Sequence, residues 1–131
     1  MTVTAFVAPA RALARSMAAK ESPAYMYHFT RVPPGRRRRR LGAFHGLEIV
    51  YVFGNLPKIG FEDADRNLSV AMTGYWTRFA ATGDPNPPAG ARAVRWPAYD
   101  DRTEPYIEFG DAIRVKTGLY RAECDAIDKA I

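Results

Sequence analysis

The chain has 131 residues, enough for one domain around one modest core, with 47% hydrophobic and 25% charged residues in the proportions of a globular protein. Its net charge of +5 comes entirely from the run Arg36 to Arg40; outside it, 14 basic residues face 14 acidic ones. That pattern argues against nucleic acid as a partner, because a nucleic-acid face spreads Lys and Arg along a surface and interleaves aromatic rings for stacking.

No stretch approaches the roughly 18 to 20 continuous apolar residues of a membrane span, and the start lacks the basic segment, apolar run and cleavage site of a signal peptide. A genuine start implies a cytoplasmic protein; a start cut from a longer chain leaves the compartment open. Cys124 is the single cysteine and has no internal disulfide partner. No Cys or His cluster has metal-ligand spacing, so no metal or other cofactor is expected.

In chain order, Phe6, Ala10, Leu13, Ala14 and Met17 recur at helical spacing, which predicts an amphipathic helix from about Pro9 to Ala19 with the proline in its first turn. After Pro23, the run Ala24 to Phe29 suits a buried strand, with Tyr25, Tyr27 and Phe29 on one face. The segment from Val32 through the arginines reads as a turn or loop. It leads into Leu41-Gly42-Ala43-Phe44-His45-Gly46-Leu47-Glu48, where two glycines flank a histidine. On propensity alone Ile49 to Phe53 is a strand.

The clearest element is a helix from about Asp63 to Ala81. Leu68, Ala71, Met72, Tyr75, Trp76 and Phe79 repeat at three- and four-residue spacing and mark its core face. Asp63 or Asp65 can cap its start, and Gly83 followed by Pro85 supplies its stop. Further on, Pro105 to Gly110 and Ala112 to Lys116 alternate like a small hairpin, and a closing helix runs from about Tyr120 to Ala130.

Chemistry has few places to reside. His28 lies inside the aromatic strand and reads as a core or edge histidine. His45 differs, since flanking glycines let the backbone hold an imidazole forward instead of packing it away. Glu48, three residues on, either orients that imidazole or is an ordinary surface carboxylate. There is no Gly-x-Ser-x-Gly elbow, and Ser16, Ser22 and Ser69 fall in or beside predicted helices, so none reads as a nucleophile. The residues alone thus give a mixed domain with one conspicuous histidine.

The order of short strings adds more: Tyr25-Met26-Tyr27-His28-Phe29, Gly42-Ala43-Phe44-His45-Gly46-Leu47-Glu48, Tyr51-Val52-Phe53-Gly54-Asn55, Tyr75-Trp76-Thr77-Arg78-Phe79-Ala80, Thr82-Gly83-Asp84-Pro85-Asn86 and Trp96-Pro97-Ala98-Tyr99-Asp100. This series resembles the C-terminal part of the type B carboxylesterase and cholinesterase family, especially its bacterial para-nitrobenzyl esterase-like members, from about Phe6 to Asp128. The resemblance implies an α/β chain, residues 1–131 forming a single partial domain: the C-terminal part of an α/β-hydrolase fold. That part comprises the last core strand, the catalytic-histidine loop, a long packing helix, a small hairpin and a terminal helix.

It also implies that His45 is the general base of a Ser-acid-His triad, with Gly46 and Glu48 supporting it. Ile49 to Phe53 would then be a short helical turn or loop rather than a strand. The serine, oxyanion-hole glycines and triad acid would lie upstream, so a histidine without them is not an esterase, and an ester substrate is expected only on complementation. The expected partner is the missing N-terminal portion, or a second copy. The alternative is a non-catalytic relative or an orphan piece acting as an interaction module, since members of this fold also serve as adhesion proteins without the triad.

Overall fold

The computed structural model describes residues 3–130, apart from the side chain of Arg37. Among these residues the elements are a π-helical turn at Val3–Val7, helix α1 (Ala8–Ala18), strand β1 (Tyr27–Phe29), and helices α2 (Arg36–Leu41), α3 (Glu48–Val52) and α4 (Asp63–Thr82). Strands β2 (Pro105–Phe109) and β3 (Ile113–Thr117) and helix α5 (Arg121–Asp128) follow. The result is a small mixed α/β chain with a three-stranded sheet in the order β1-β2-β3.

The sheet is mixed. Ile107 N donates to Met26 O and Thr30 N to Phe109 O, so partner numbers rise together and β1 runs parallel to β2. Gly118 N donates to Glu104 O beyond the other ends of β2 and β3, the antiparallel pattern of a hairpin. Both β1 and β3 are therefore outer strands, and β3 exposes nearly every residue.

The chain divides into two compact units. Among the described residues the first comprises 3–27, 96–107 and 115–130, the second 28–95 and 108–114. In the first, Val7, Ala8 and Cys124 form an apolar cluster with Val3, Leu119 and Ile127 packed on it. Burial pushes the Cys124 thiol up, which keeps it protonated and inert. Trp96 donates through its indole N–H to Met26 O at 2.9 Å and packs nearly perpendicular to the rings of Tyr25 and Tyr27.

The first unit also holds a buried charge network. Arg11, 4% exposed, donates from Nε and Nη2 to Glu104 Oε1 at 2.9 and 2.6 Å and from Nη2 to Asp125 at 2.6 Å. Arg15 reaches the same Glu104 oxygen at 3.2 Å and Arg121 its other oxygen at 2.9 Å. Burial alone would lower the Arg11 pKa, but these carboxylates outweigh it and hold the guanidinium firmly charged.

In the second unit Phe29, Tyr51, Leu68, Met72, Tyr75 and Phe109 supply the core. Helix α4 fits its predicted span to within a residue. Its start is closed by a capping box in which Glu62, not Asp63, is the N-cap: the Glu62 side chain accepts from the Asp65 backbone, and Asp65 Oδ2 accepts from Glu62 N at 2.9 Å. Gly83 stops the helix in the left-handed region at φ 77°. The predicted apolar face is buried only in part, since Phe79 near the end is 47% exposed while Met72 and Tyr75 are enclosed.

Three local expectations are corrected. The arginine run is helix, not loop, because arginine is a good helix former, Arg36, Arg39 and Arg40 are exposed, and Gly35 and Gly42 stop the element at both ends. Ile49 to Phe53 is not a strand: α3 covers Glu48–Val52, as the family resemblance implied, because anchoring by α4 outweighs β-branched propensity. The aromatic strand is shorter than its pattern, beginning at Tyr27, and Tyr27 stays 37% exposed while Phe29 is buried.

Candidate functional site

His45 sits in the turn that links α2 to α3, with an exposed side chain. Gly42 at φ 65° and Gly46 at φ 90° bracket it in the left-handed region, so the turn needs residues without a Cβ at both ends. At Gly46 the need is conformational and not spatial, because an added Cβ would meet only Ile49 Cδ1 at 3.9 Å. Leu47 N donates to Phe44 O at 3.1 Å and Ile49 N to Gly46 O at 3.2 Å, which tightens the chain into the first turn of α3. Glu48 opens that helix and is half-buried.

What holds the turn is α3, and what holds α3 is α4. Tyr51 is fully buried, and its hydroxyl donates to Asp65 Oδ1 at 2.8 Å. Its carbonyl accepts from Ser69 Oγ at 2.7 Å, and the Val52 carbonyl accepts from Thr73 Oγ1 at 2.9 Å. These bonds reach the last carbonyls of α3, which have no intrahelical donors. The Tyr51 ring also packs on Phe29 with centroids 5.0 Å apart and on Phe61 at 6.0 Å.

Asp65 is fully buried and accepts as well from Arg31 Nε at 2.7 Å. Arg31 follows β1 and spends its other nitrogens on Glu62 at 2.5 Å and Asp111 at 2.7 Å. Burial alone would raise the Asp65 pKa; the Arg31, Glu62 and Tyr51 donors overcome it and hold the carboxyl below the usual aspartate range. Burial, together with the neighbouring Asp65, pushes the Tyr51 phenol far above its ordinary value, so it remains a donor at every physiological pH.

The structure therefore brings His45, Gly46 and Glu48 into one short turn and fixes that turn from behind. His28 lies half-buried in β1. Ser69, whose hydroxyl is committed to the Tyr51 carbonyl inside α4, is no nucleophile. The sequence reads Asp65 only as a cap and Ser69 only as a helix serine, and it gives Arg31, Tyr51 and Thr73 no part in holding this turn. Only the aspartate in the first turn of a helix carries a local signal, and that signal is for capping. Two open hollows in this unit are lined by Arg31, Asn67 and Asp111, and by Leu56, Arg66 and Val70; His45 lines neither.

With this geometry in hand, the sequence profile described as the Carboxylesterase family matches residues 1–127. The chain belongs to the carboxylesterase family. Human bile salt-activated lipase is 38% identical over 69% of this chain and 12% of its own length. Bovine carboxylesterase 4A is 36% identical over 71% of this chain and 17% of its own. Human neuroligin-2 is 34% identical over 89% of this chain and 16% of its own. The chain thus spans less than one fifth of the length of these carboxylesterase-family relatives.

Proposed function

We propose that this chain is the C-terminal part of a serine carboxylesterase: it supplies the triad histidine, His45, and is inactive by itself. The observation that carries the reading is the presentation of His45 on an exposed turn that two left-handed glycines shape and that Tyr51 and Asp65 lock through α3. A general base must be held at one position while a serine proton is transferred, and a turn anchored to buried groups meets that requirement.

In the complete site a neutral His45 takes the proton of the serine hydroxyl as it attacks the ester carbonyl, then returns it to the departing alcohol. Gly46 lets the turn close behind the imidazole, and Glu48 helps to orient or buffer it. The serine, the triad acid and the oxyanion donors come from the missing N-terminal portion, which is the partner of this chain, and the ester is bound only when that portion is present. In this reading residues 1–131 are a single partial domain of an α/β-hydrolase fold, with β1 as its last core strand. The outer position of β1 and the exposed Ile49, Phe53 and Val70 are consistent with surfaces built to be covered.

The test is hydrolysis of a chromogenic carboxylic ester by the chain alone beside His45→Ala. Removal of the nucleophile from such a triad costs on the order of a million-fold in turnover, so no histidine-dependent hydrolysis is expected. Clear turnover that His45→Ala abolishes would show that this chain needs no upstream portion. A second reading, a non-catalytic interaction module, draws on neuroligin-2, which matches a larger share of this chain than the lipase or carboxylesterase 4A does.

A further inference from the structure

Arg11, Arg15, Arg31 and Arg121 each meet carboxylates. Arg36, Arg39 and Arg40 are among the arginines that meet none among the described residues, and they stand together on one short helix, α2. All three are exposed, and they carry most of a +5 charge that the rest of the sequence balances to zero. Unneutralised like charges packed within one helix of six residues repel one another, which an anionic partner would relieve.

Arg38 is used differently. Its guanidinium lies 4.4 Å from the centre of the Phe61 ring and donates to the Gly60 carbonyl, and Phe61 in turn packs edge-on against Tyr51. Helix α2 is thereby held to the core of its unit, with Arg36, Arg39 and Arg40 exposed. Beside them stand bare apolar side chains: Leu41 is 59% exposed, Phe44 48% and Ile59, next to Gly60, 87%.

We propose that α2 and its apolar neighbours form a docking site for an anionic lipid surface. The guanidiniums meet the headgroups while Leu41, Phe44 and Ile59 enter the boundary between headgroups and acyl chains. The apolar members decide between partners, since a phosphodiester backbone offers them nothing to enter. Moreover, the nearby Phe61 ring already stacks on Arg38 and is not a platform for a base. At 1.5 Å rise per residue the helix is only about 9 Å long, too short to follow a nucleic-acid backbone. Arg36, Arg39 and Arg40, at i, i+3 and i+4, share one of its faces and can meet one surface together. Phe44 adjoins His45, so the proposal is made for this chain without its upstream portion, and its test does not depend on ester hydrolysis.

The test is partition of the full 131-residue chain onto phosphatidylserine-containing vesicles and onto pure phosphatidylcholine vesicles, read by co-sedimentation. Strong binding to the anionic vesicles alone is expected, weakening as salt rises. The combined variant Arg36→Gln, Arg39→Gln, Arg40→Gln should lower partition on the order of a hundredfold, since each arginine near such a surface contributes about fivefold. Ile59→Ser, which leaves every charge in place, should weaken binding, whereas Val70→Ser, at an exposed apolar site on α4, should not. Equal binding to neutral vesicles, binding that survives the arginine substitutions, equal loss from Ile59→Ser and Val70→Ser, or tighter binding to duplex DNA than to anionic vesicles would overturn the proposal.

Discussion

The Tyr51 hydroxyl donates to Asp65 Oδ1 at 2.8 Å with both residues fully buried, and this one bond fastens the helix behind His45 to the first turn of α4. Asp65 is held in turn by Arg31, so the position of the His45 turn depends on an aspartate 20 residues away in sequence and on an arginine beyond the end of β1.

Tyr51→Phe keeps the ring packing and removes the hydroxyl from a charged acceptor. The expected loss is about 2 kcal/mol in urea denaturation. Amide exchange from Gly46 to Phe53 should accelerate more than exchange in the middle of α4. An unchanged midpoint and unchanged exchange would show that the packing of the ring alone holds α3.

Gly46→Ala places a Cβ on a backbone at φ 90° in open space, so its cost is strain and not collision. A destabilisation of about 1–3 kcal/mol is expected, together with altered imidazole resonances of His45. A variant as stable as the parent, with the same His45 signals, would contradict the proposed glycine bracket.

Acid should loosen the second unit through Asp65. Its carboxyl is held below the usual range in the folded state, so its contribution is complete above the ordinary aspartate value of about 4 and is lost as the pH falls through the folded value. Stability measured against pH should therefore drop below about pH 4. Asp65→Asn should be less stable at neutral pH, with a shallower acid slope. An identical slope in the variant would place the acid sensitivity elsewhere.

Glu104→Gln tests the charge network of the first unit. Glu104 is buried and accepts from Arg11, Arg15 and Arg121, and its neutralisation strands Arg11 in a site with 4% exposure. Breaking such a buried pair costs about 3–5 kcal/mol. A loss below about 1 kcal/mol would mean that Asp125 and Asp128 suffice for Arg11.

Periodic and punctuated segments were legible in the sequence. Helix α4 showed its apolar repeat and its Gly83 stop, and the β2–β3 hairpin showed alternation around Gly110. Short elements were less so: α3 carries the residues of a strand, and contacts from Asp65, Ser69 and Thr73 on α4 hold it as a helix. The arginine helix was hidden because a run of like charges resembles a solvated loop. His45 stood out through its glycines, but Arg31, Tyr51 and Asp65 are separated in sequence and become neighbours only on folding, so no local pattern marks them as its support.

The central claim is that His45 acts as the general base once the upstream portion is supplied. The direct measurement is ester hydrolysis by this chain co-expressed with a separate N-terminal carboxylesterase portion that carries the serine, the triad acid and the oxyanion-hole glycines, compared with the same pair carrying His45→Ala. The account predicts no turnover from either part alone, turnover from the pair, and its loss with His45→Ala. Turnover by the pair that survives His45→Ala would contradict it.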